Sequence, residues 1–119
     1  MTPDREPATQ PNDLERFFIA RANAGDLDGL IALYEPDAVL MTFPRRQIAA
    51  GRRQIREALE QMLADQQEFV LGQQRPPLVS GDLALTSTRL PDGAITTEVA
   101  RRQPDGTWLW VIDRYNILE

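Results

Sequence analysis

Glu98-Val99-Ala100-Arg101-Arg102-Gln103-Pro104-Asp105-Gly106-Thr107-Trp108-Leu109-Trp110-Val111-Ile112-Asp113-Arg114-Tyr115 is the stretch on which the fold turns. It reads as two long strands joined at Pro104-Asp105-Gly106, a sequence with turn chemistry at every position. Both tryptophans of the chain lie in it. So do two carboxylates, Glu98 and Asp113, set into an otherwise apolar strand pattern. A second Pro-Asp-Gly, at Pro91-Asp92-Gly93, precedes this hairpin and follows another β-prone run, Leu83 to Leu90. Two copies of one turn motif linking three successive strands predict an antiparallel meander.

Upstream of the meander the period is helical. Leu14, Phe17, Phe18 and Ala22 predict a helix from Asp13 to Ala24, with Asn12 and Glu15 as a capping box and Gly25 at its end. Asp26 then caps a second helix, whose apolar face is Leu27, Leu30, Ile31 and Tyr34 and which Pro36 stops. Ala38 to Phe43 reads as a strand, Pro44 to Gly51 as a loop, and Arg52 to Asp65 as a third helix with Ile55, Leu59 and Met62 inward. Phe69-Val70-Leu71 reads as a short strand broken at Pro76-Pro77. Residues 1–11 contain three prolines and little that is apolar, the composition of a disordered tail. Helices segregated from an antiparallel sheet define an α+β domain.

Composition excludes several chemistries. The chain of 119 residues suits one domain, and its net charge of −5 and lack of a basic stripe argue against a nucleic-acid partner. No apolar run approaches the roughly 18 residues of a membrane helix, and the N-terminus lacks the apolar region of a signal peptide, so a cytoplasmic protein is expected. Cysteine and histidine are absent and all 13 basic residues are arginine. Thiolate nucleophiles, Cys- or His-ligated metals, imidazole bases and lysine Schiff bases are thereby unavailable to it. No metal site and no cofactor is expected. Acid–base work would fall to Asp, Glu or Tyr.

Several segments together, Ala24-Gly25-Asp26-Leu27-Asp28-Gly29-Leu30, Leu33-Tyr34-Glu35-Pro36-Asp37-Ala38-Val39, Gly51-Arg52-Arg53-Gln54-Ile55-Arg56, Gly81-Asp82-Leu83-Ala84 and Arg101-Arg102-Gln103-Pro104-Asp105-Gly106-Thr107-Trp108, resemble the SnoaL-like branch of the nuclear-transport-factor-2-like superfamily. The resemblance runs from residue 12 to the end and implies a single domain over 12–119. It implies three N-terminal helices packed on a strongly curved, mostly antiparallel sheet that forms a conical pocket. It also implies a homodimer through the outer face of the sheet. Ketosteroid isomerase belongs to the same superfamily. By that likeness its general-base aspartate falls at Thr42 and its oxyanion-donating tyrosine at Phe18, which removes both functions. Its buried, protonated acid falls at Glu98 and a second tyrosine at Tyr34, which keep theirs. Steroid isomerisation itself is therefore not expected.

Glu98 and Asp113 remain as the candidate catalytic pair. Whether they share a face depends on the turn. A two-residue Asp105-Gly106 loop sets them directly opposite one another; a three-residue Pro104-Asp105-Gly106 loop with a bulge sets them on opposite faces. Pro104 favours the longer loop, and the gap-free likeness across the turn favours the shorter, which is adopted here. The pocket face then carries Thr96, Glu98, Ala100, Leu109, Val111, Asp113 and Tyr115. Trp108 and Trp110 fall on the outer face with Val99 and Ile112, as a homodimer interface; burial in the monomer core is their alternative. Tyr34, Tyr115, Thr42, Phe18, Leu40, Leu59, Met62 and Val111 are the expected ligand contacts, with Phe43 beside them. An ion pair with Arg89, Arg101 or Arg114 is the alternative role for either carboxylate.

These residues favour binding of a small, largely apolar organic ligand, with carboxylate-mediated proton transfer, hydration or cyclisation as the chemistry on offer. A carrier without chemistry, and a dimeric interaction module with a filled cone, are the alternatives.

Overall fold

A computed structural model of the chain describes residues 5–42 and 47–118. The element order is α1 (Asp13–Asn23), α2 (Leu27–Ile31), β1 (Tyr34–Met41), β2 (Ile48–Ala50), α3 (Gly51–Asp65), β3 (Gln73–Gln74), β4 (Leu78–Ser80), β5 (Leu83–Arg89), β6 (Ile95–Arg102) and β7 (Trp108–Arg114). The strands form one curved, mixed sheet in the order β2-β1-β7-β6-β5-β3, with β4 also paired to β5. The meander β5-β6-β7 is antiparallel throughout, and the β1–β7 pairing is parallel. The helices pack against one face. Leu14, Leu30, Ile55 and Leu59 from the helices meet Tyr34, Ala100, Trp108 and Trp110 from the strands in the core.

The α+β class, the three helices and the meander match the sequence reading. Three local expectations differ. α2 is a single short turn, because the chain is already extended at Tyr34 and runs beside β7. Val70 and Leu71 are not in a strand. Phe69 is held by Asn23, whose side-chain amide donates to the Phe69 carbonyl and whose oxygen accepts from the Phe69 N–H, both at 2.8 Å. β2 and β4 lie in segments read as loop and break. Phe43 lies outside the described residues.

Residues 5–11 are packed against the domain, contrary to a disordered tail. Ala8 is buried, its carbonyl accepts from the Trp108 N–H at 2.9 Å, and Arg5 forms two hydrogen bonds with Asp26. Proline and polar content hid this, because the anchoring is by backbone rather than by an apolar pattern.

The decisive difference is in β7. At the turn, Gln103 N–H donates to the Thr107 carbonyl, Gly106 N–H donates to the Gln103 carbonyl, and Gly106 takes φ +87°. This is the three-residue loop that Pro104 favoured. Arg102 accordingly pairs with Trp108 and Ala100 with Trp110. The register then shifts, so that Val99 pairs with Ile112 and Glu98 with Asp113. Val111 is the extra residue, a β-bulge. The loop places Trp108 and Trp110 inward, and the bulge turns Asp113 inward as well. Trp108 and Trp110 are 5% and 1% exposed. A dimer contact made through these two tryptophans is therefore excluded: they are core.

Both indoles should be strongly shielded from acrylamide quenching in the native protein, and quenching near that of free tryptophan would refute the inward register. Trp110→Ala should cost about 3–5 kcal/mol of stability by denaturant unfolding, the usual range for emptying a large core site.

Candidate functional site

Between the helices and the inner face of the sheet lies a cavity of about 100 Å³. It is large enough for several waters or one small organic molecule. α1 contributes Glu15, Phe18 and Ile19; β1 and the residue after it contribute Leu40, Met41 and Thr42; α3 contributes Ala58, Leu59 and Met62. Thr96 and Glu98 come from β6, Trp110 and Asp113 from β7, and Tyr115 follows β7. Gln66, Phe69, Val70 and Leu90 complete it. Trp110 stands between two other rings, with centroids 5.7 Å from Phe18 and 5.2 Å from Tyr34.

Eight of the ten residues expected at the site line this cavity: Glu98, Asp113, Phe18, Leu40, Thr42, Leu59, Met62 and Tyr115. Val111 does not, because as the bulged residue it leaves the alternation. Tyr34 lies behind the wall, fully buried, and its hydroxyl donates to Asp113 Oδ2 at 2.6 Å.

Glu15 was missed. It reads in sequence as the capping-box partner of Asn12, yet the Asn12 side chain makes no cap and donates instead to the Arg75 carbonyl. Glu15 is buried and lines the cavity. A signal was present: Glu15 sits three and four residues before Phe18 and Ile19 and seven before Ala22, on the inward stripe of α1.

Three carboxyl groups thus surround one cavity. Asp113 is directly across the strand pair from Glu98. Burial pushes Asp113 up to about 6, while the Tyr34 hydrogen bond opposes the rise. Burial, and then the Asp113 charge, pushes Glu15 up to about 8. Glu98 is driven well above the ordinary range by burial and by Asp113 and Glu15, against the opposing effect of the Thr96 and Thr86 hydroxyls. The Thr86 hydroxyl donates to Glu98 Oε1 at 2.8 Å, whereas Glu98 Oε2 and the Trp110 indole Nε1 are buried without a partner. Among the described residues no guanidinium is one of the groups that act on the three acids. Arg101, one of the alternatives, pairs with Glu35 instead. Burial thus raises all three acids, and Asp113 less than Glu15, because the Tyr34 hydroxyl stabilises its ionised form. Acids with pKa values moved towards neutrality are the kind of group that carboxylate acid–base chemistry uses. Among the described residues no three His, Cys, Asp or Glu side chains converge to hold a metal ion, and no helix is long and apolar enough to cross a membrane.

Helices on a curved mixed sheet, enclosing an acid-lined cavity, define a cystatin-like, nuclear-transport-factor-2-like architecture. The SnoaL-like domain family model matches residues 14–118, and the chain belongs to that family. Its fold is similar to that of a protein from Thiobacillus denitrificans named as a calcium/calmodulin-dependent protein kinase type II association domain, with a TM-score of 0.75, 20% identity, and coverage of 92% of this chain and 96% of that one. It is also similar to a protein from Shewanella frigidimarina named as a ketosteroid isomerase (TM-score 0.68, 11% identity, coverage 86% and 90%). A SnoaL-like protein of unknown function from Burkholderia thailandensis is a third (0.60, 19%, 87% and 90%). At these identities the likeness concerns the fold alone. No curated protein matches the sequence.

The folded-state pKa values of Glu15 and Asp113 lie above their ordinary ones, so the folded chain binds more protons than the unfolded chain between about pH 4 and 8. Stability conferred by the protonated acids is full below that window and is lost as pH rises through it. The melting temperature should fall by several degrees from pH 5 to pH 8, and Glu15→Gln should flatten the fall. A profile that is flat in the wild type would show that the acids are not elevated.

Proposed function

We propose that this protein binds a small, largely apolar organic molecule in the cavity and moves a proton on it, with Asp113 as acceptor and Glu98 as donor, in the cytoplasm and without a cofactor. The observation that carries this reading is the set of three carboxyl groups, raised by burial and with no arginine among the described lining residues, around one mostly apolar cavity. Perturbed acids gathered in a cleft are candidates for a functional site. Glu15 enters as a second donor. Tyr34, hydrogen-bonded behind Asp113, orients the base and limits its basicity. Phe18, Leu40, Leu59 and Met62 supply the apolar contact, and Thr42 and Tyr115 the polar edge. Proton transfer, hydration and cyclisation all use such a pair. A carrier would use the same cavity without turnover.

The test is a thermal-shift screen of small cyclic ketones, enols and epoxides, followed by Asp113→Asn and Glu98→Gln. Ligand binding that survives in both variants while turnover drops by at least 100-fold is the expected result, in line with the usual contribution of a general acid or base. Binding without turnover in the wild type would establish the carrier reading, and no ligand at all would leave the filled-module reading.

We also propose that the homodimer forms through the outer face of the sheet, where the tryptophans do not lie. Val39, Ile112, Val99, Leu85 and Leu78 are successive cross-strand partners in one row over five strands. Ile112 is 49% exposed and Leu78 71%. An aliphatic row of this length is the kind of surface that marks a protein contact. Sedimentation should show a dimer at micromolar concentration, and Ile112→Asp with Leu85→Asp should yield a folded monomer; a wild-type monomer would overturn the assignment.

A further inference from the structure

We propose that the ligand of this cavity is a protonated amine, a small molecule with an apolar body whose ammonium group seats among Asp113, Glu15 and Glu98. The inference rests on the binding reading above and names its substrate class.

The first argument is the distribution of charge. Of the described residues that line the cavity, three carry carboxyl groups and none is an arginine. Elsewhere among the described residues five acids meet an arginine. Arg5 meets Asp26, Arg16 meets Asp13, Arg56 meets Asp28, Arg101 meets Glu35 and Arg102 meets Asp82. Those pairs are on or near the surface, where an ion pair contributes little. Glu15, Glu98 and Asp113 are buried, where a missing partner costs most, and have no ion pair among the described residues. The cation that its described lining does not supply is one a ligand can bring.

The second argument comes from unpartnered polar atoms. Trp110 is a fully buried residue of the cavity wall, and its indole N–H has no acceptor. Glu98 Oε2, equally enclosed, has no donor. Orphaned polar atoms of this kind are rare in folded proteins and call for a partner. An ammonium group brings up to three donors and no acceptor, which suits a site with a surplus of carboxyl oxygens. A hydroxyl or ether oxygen on the same molecule would serve the indole N–H. The faces of Trp110 and Phe18, close and tilted at 56° to each other, offer a cation-attracting corner that suits an ammonium group and its adjoining methylenes.

A neutral ligand leaves the carboxyl groups holding their protons, and an anion is repelled by Asp113. A cation stabilises the ionised form of every acid it touches. Binding of an amine therefore drives protons off Glu15 and Glu98, and binding of a neutral analogue does not.

Three near-isosteres test this: 2-amino-1-phenylethanol as the cation, 1-phenylethane-1,2-diol as the neutral form and mandelate as the anion. Calorimetry at pH 7 in two buffers of different ionisation enthalpy reads affinity and proton release together. The expected result is that the amine binds at least tenfold more tightly than the diol, with net proton release, and that mandelate shows no binding. Asp113→Asn and Glu15→Gln should each reduce the ratio of amine to diol affinity at least tenfold. Diol binding equal to or tighter than amine binding, or amine binding without proton release, overturns the amine assignment while the small-molecule site stands. The proton count on the wild type decides this even where a variant does not fold. If neither these three compounds nor the neutral compounds of the screen bind, both the amine assignment and the binding reading fall.

Discussion

The site depends on one extra residue in β7. The loop at Pro104-Asp105-Gly106 sets the strand so that Trp108 and Trp110 face the helices. Continued without interruption, that alternation would send Ile112 inward beside Glu98 and Asp113 outward beside Thr97. The bulge at Val111 reverses the parity between the tryptophans and the aspartate. Trp110 and Asp113 then both reach the cavity from one strand, and Asp113 falls opposite Glu98 and within reach of the Tyr34 hydroxyl. The same reversal puts Ile112 on the outer face, in line with Val39, Val99, Leu85 and Leu78. A bulge is a usual means of re-aiming a side chain beside a functional site.

Burying carboxyl groups without countercharges works against folding. Each is kept neutral or charged at the expense of its ordinary equilibrium with water. The chain tolerates this because the surrounding core is well filled: Leu14, Leu30, Ile55 and Leu59 are almost wholly buried beneath Trp110 and Tyr34. Threonines soften the burden at Glu98, and Tyr34 does so at Asp113. Stability given up at a cluster of this kind, with rigid apolar packing around it, is a familiar trade at sites that bind or react.

Membership of the SnoaL-like family describes the architecture and leaves the chemistry to the side chains. Similar folds appear under names as different as a ketosteroid isomerase and a kinase association domain. In this chain Phe18 and Thr42 stand in the cavity wall without an ionisable group, while Glu15, Glu98 and Asp113 bring three from different elements. Pairing of β6 with β7 makes Glu98 and Asp113 neighbours, and the packing of α1 against the meander adds Glu15 to them.

The sequence by itself determined the α+β class, the helix periods, the two Pro-Asp-Gly turns and the meander, because these follow from local periodicity and turn chemistry. It also pointed to most of the cavity wall and to Glu98 and Asp113, since carboxylates within apolar strand pattern are conspicuous. Tertiary structure decided the rest. The bulge at Val111 is a compromise between a turn that prefers one register and a core that requires another, and neither is visible in the strand alone. Glu15 carries the same letters whether it caps a helix or lines a cavity; the sheet packed against α1 made the choice. The segment before α1 is anchored by a backbone bond from Trp108 to Ala8, which composition cannot register. The inward face of the tryptophans followed from parity, and parity is a property of paired strands rather than of a single one.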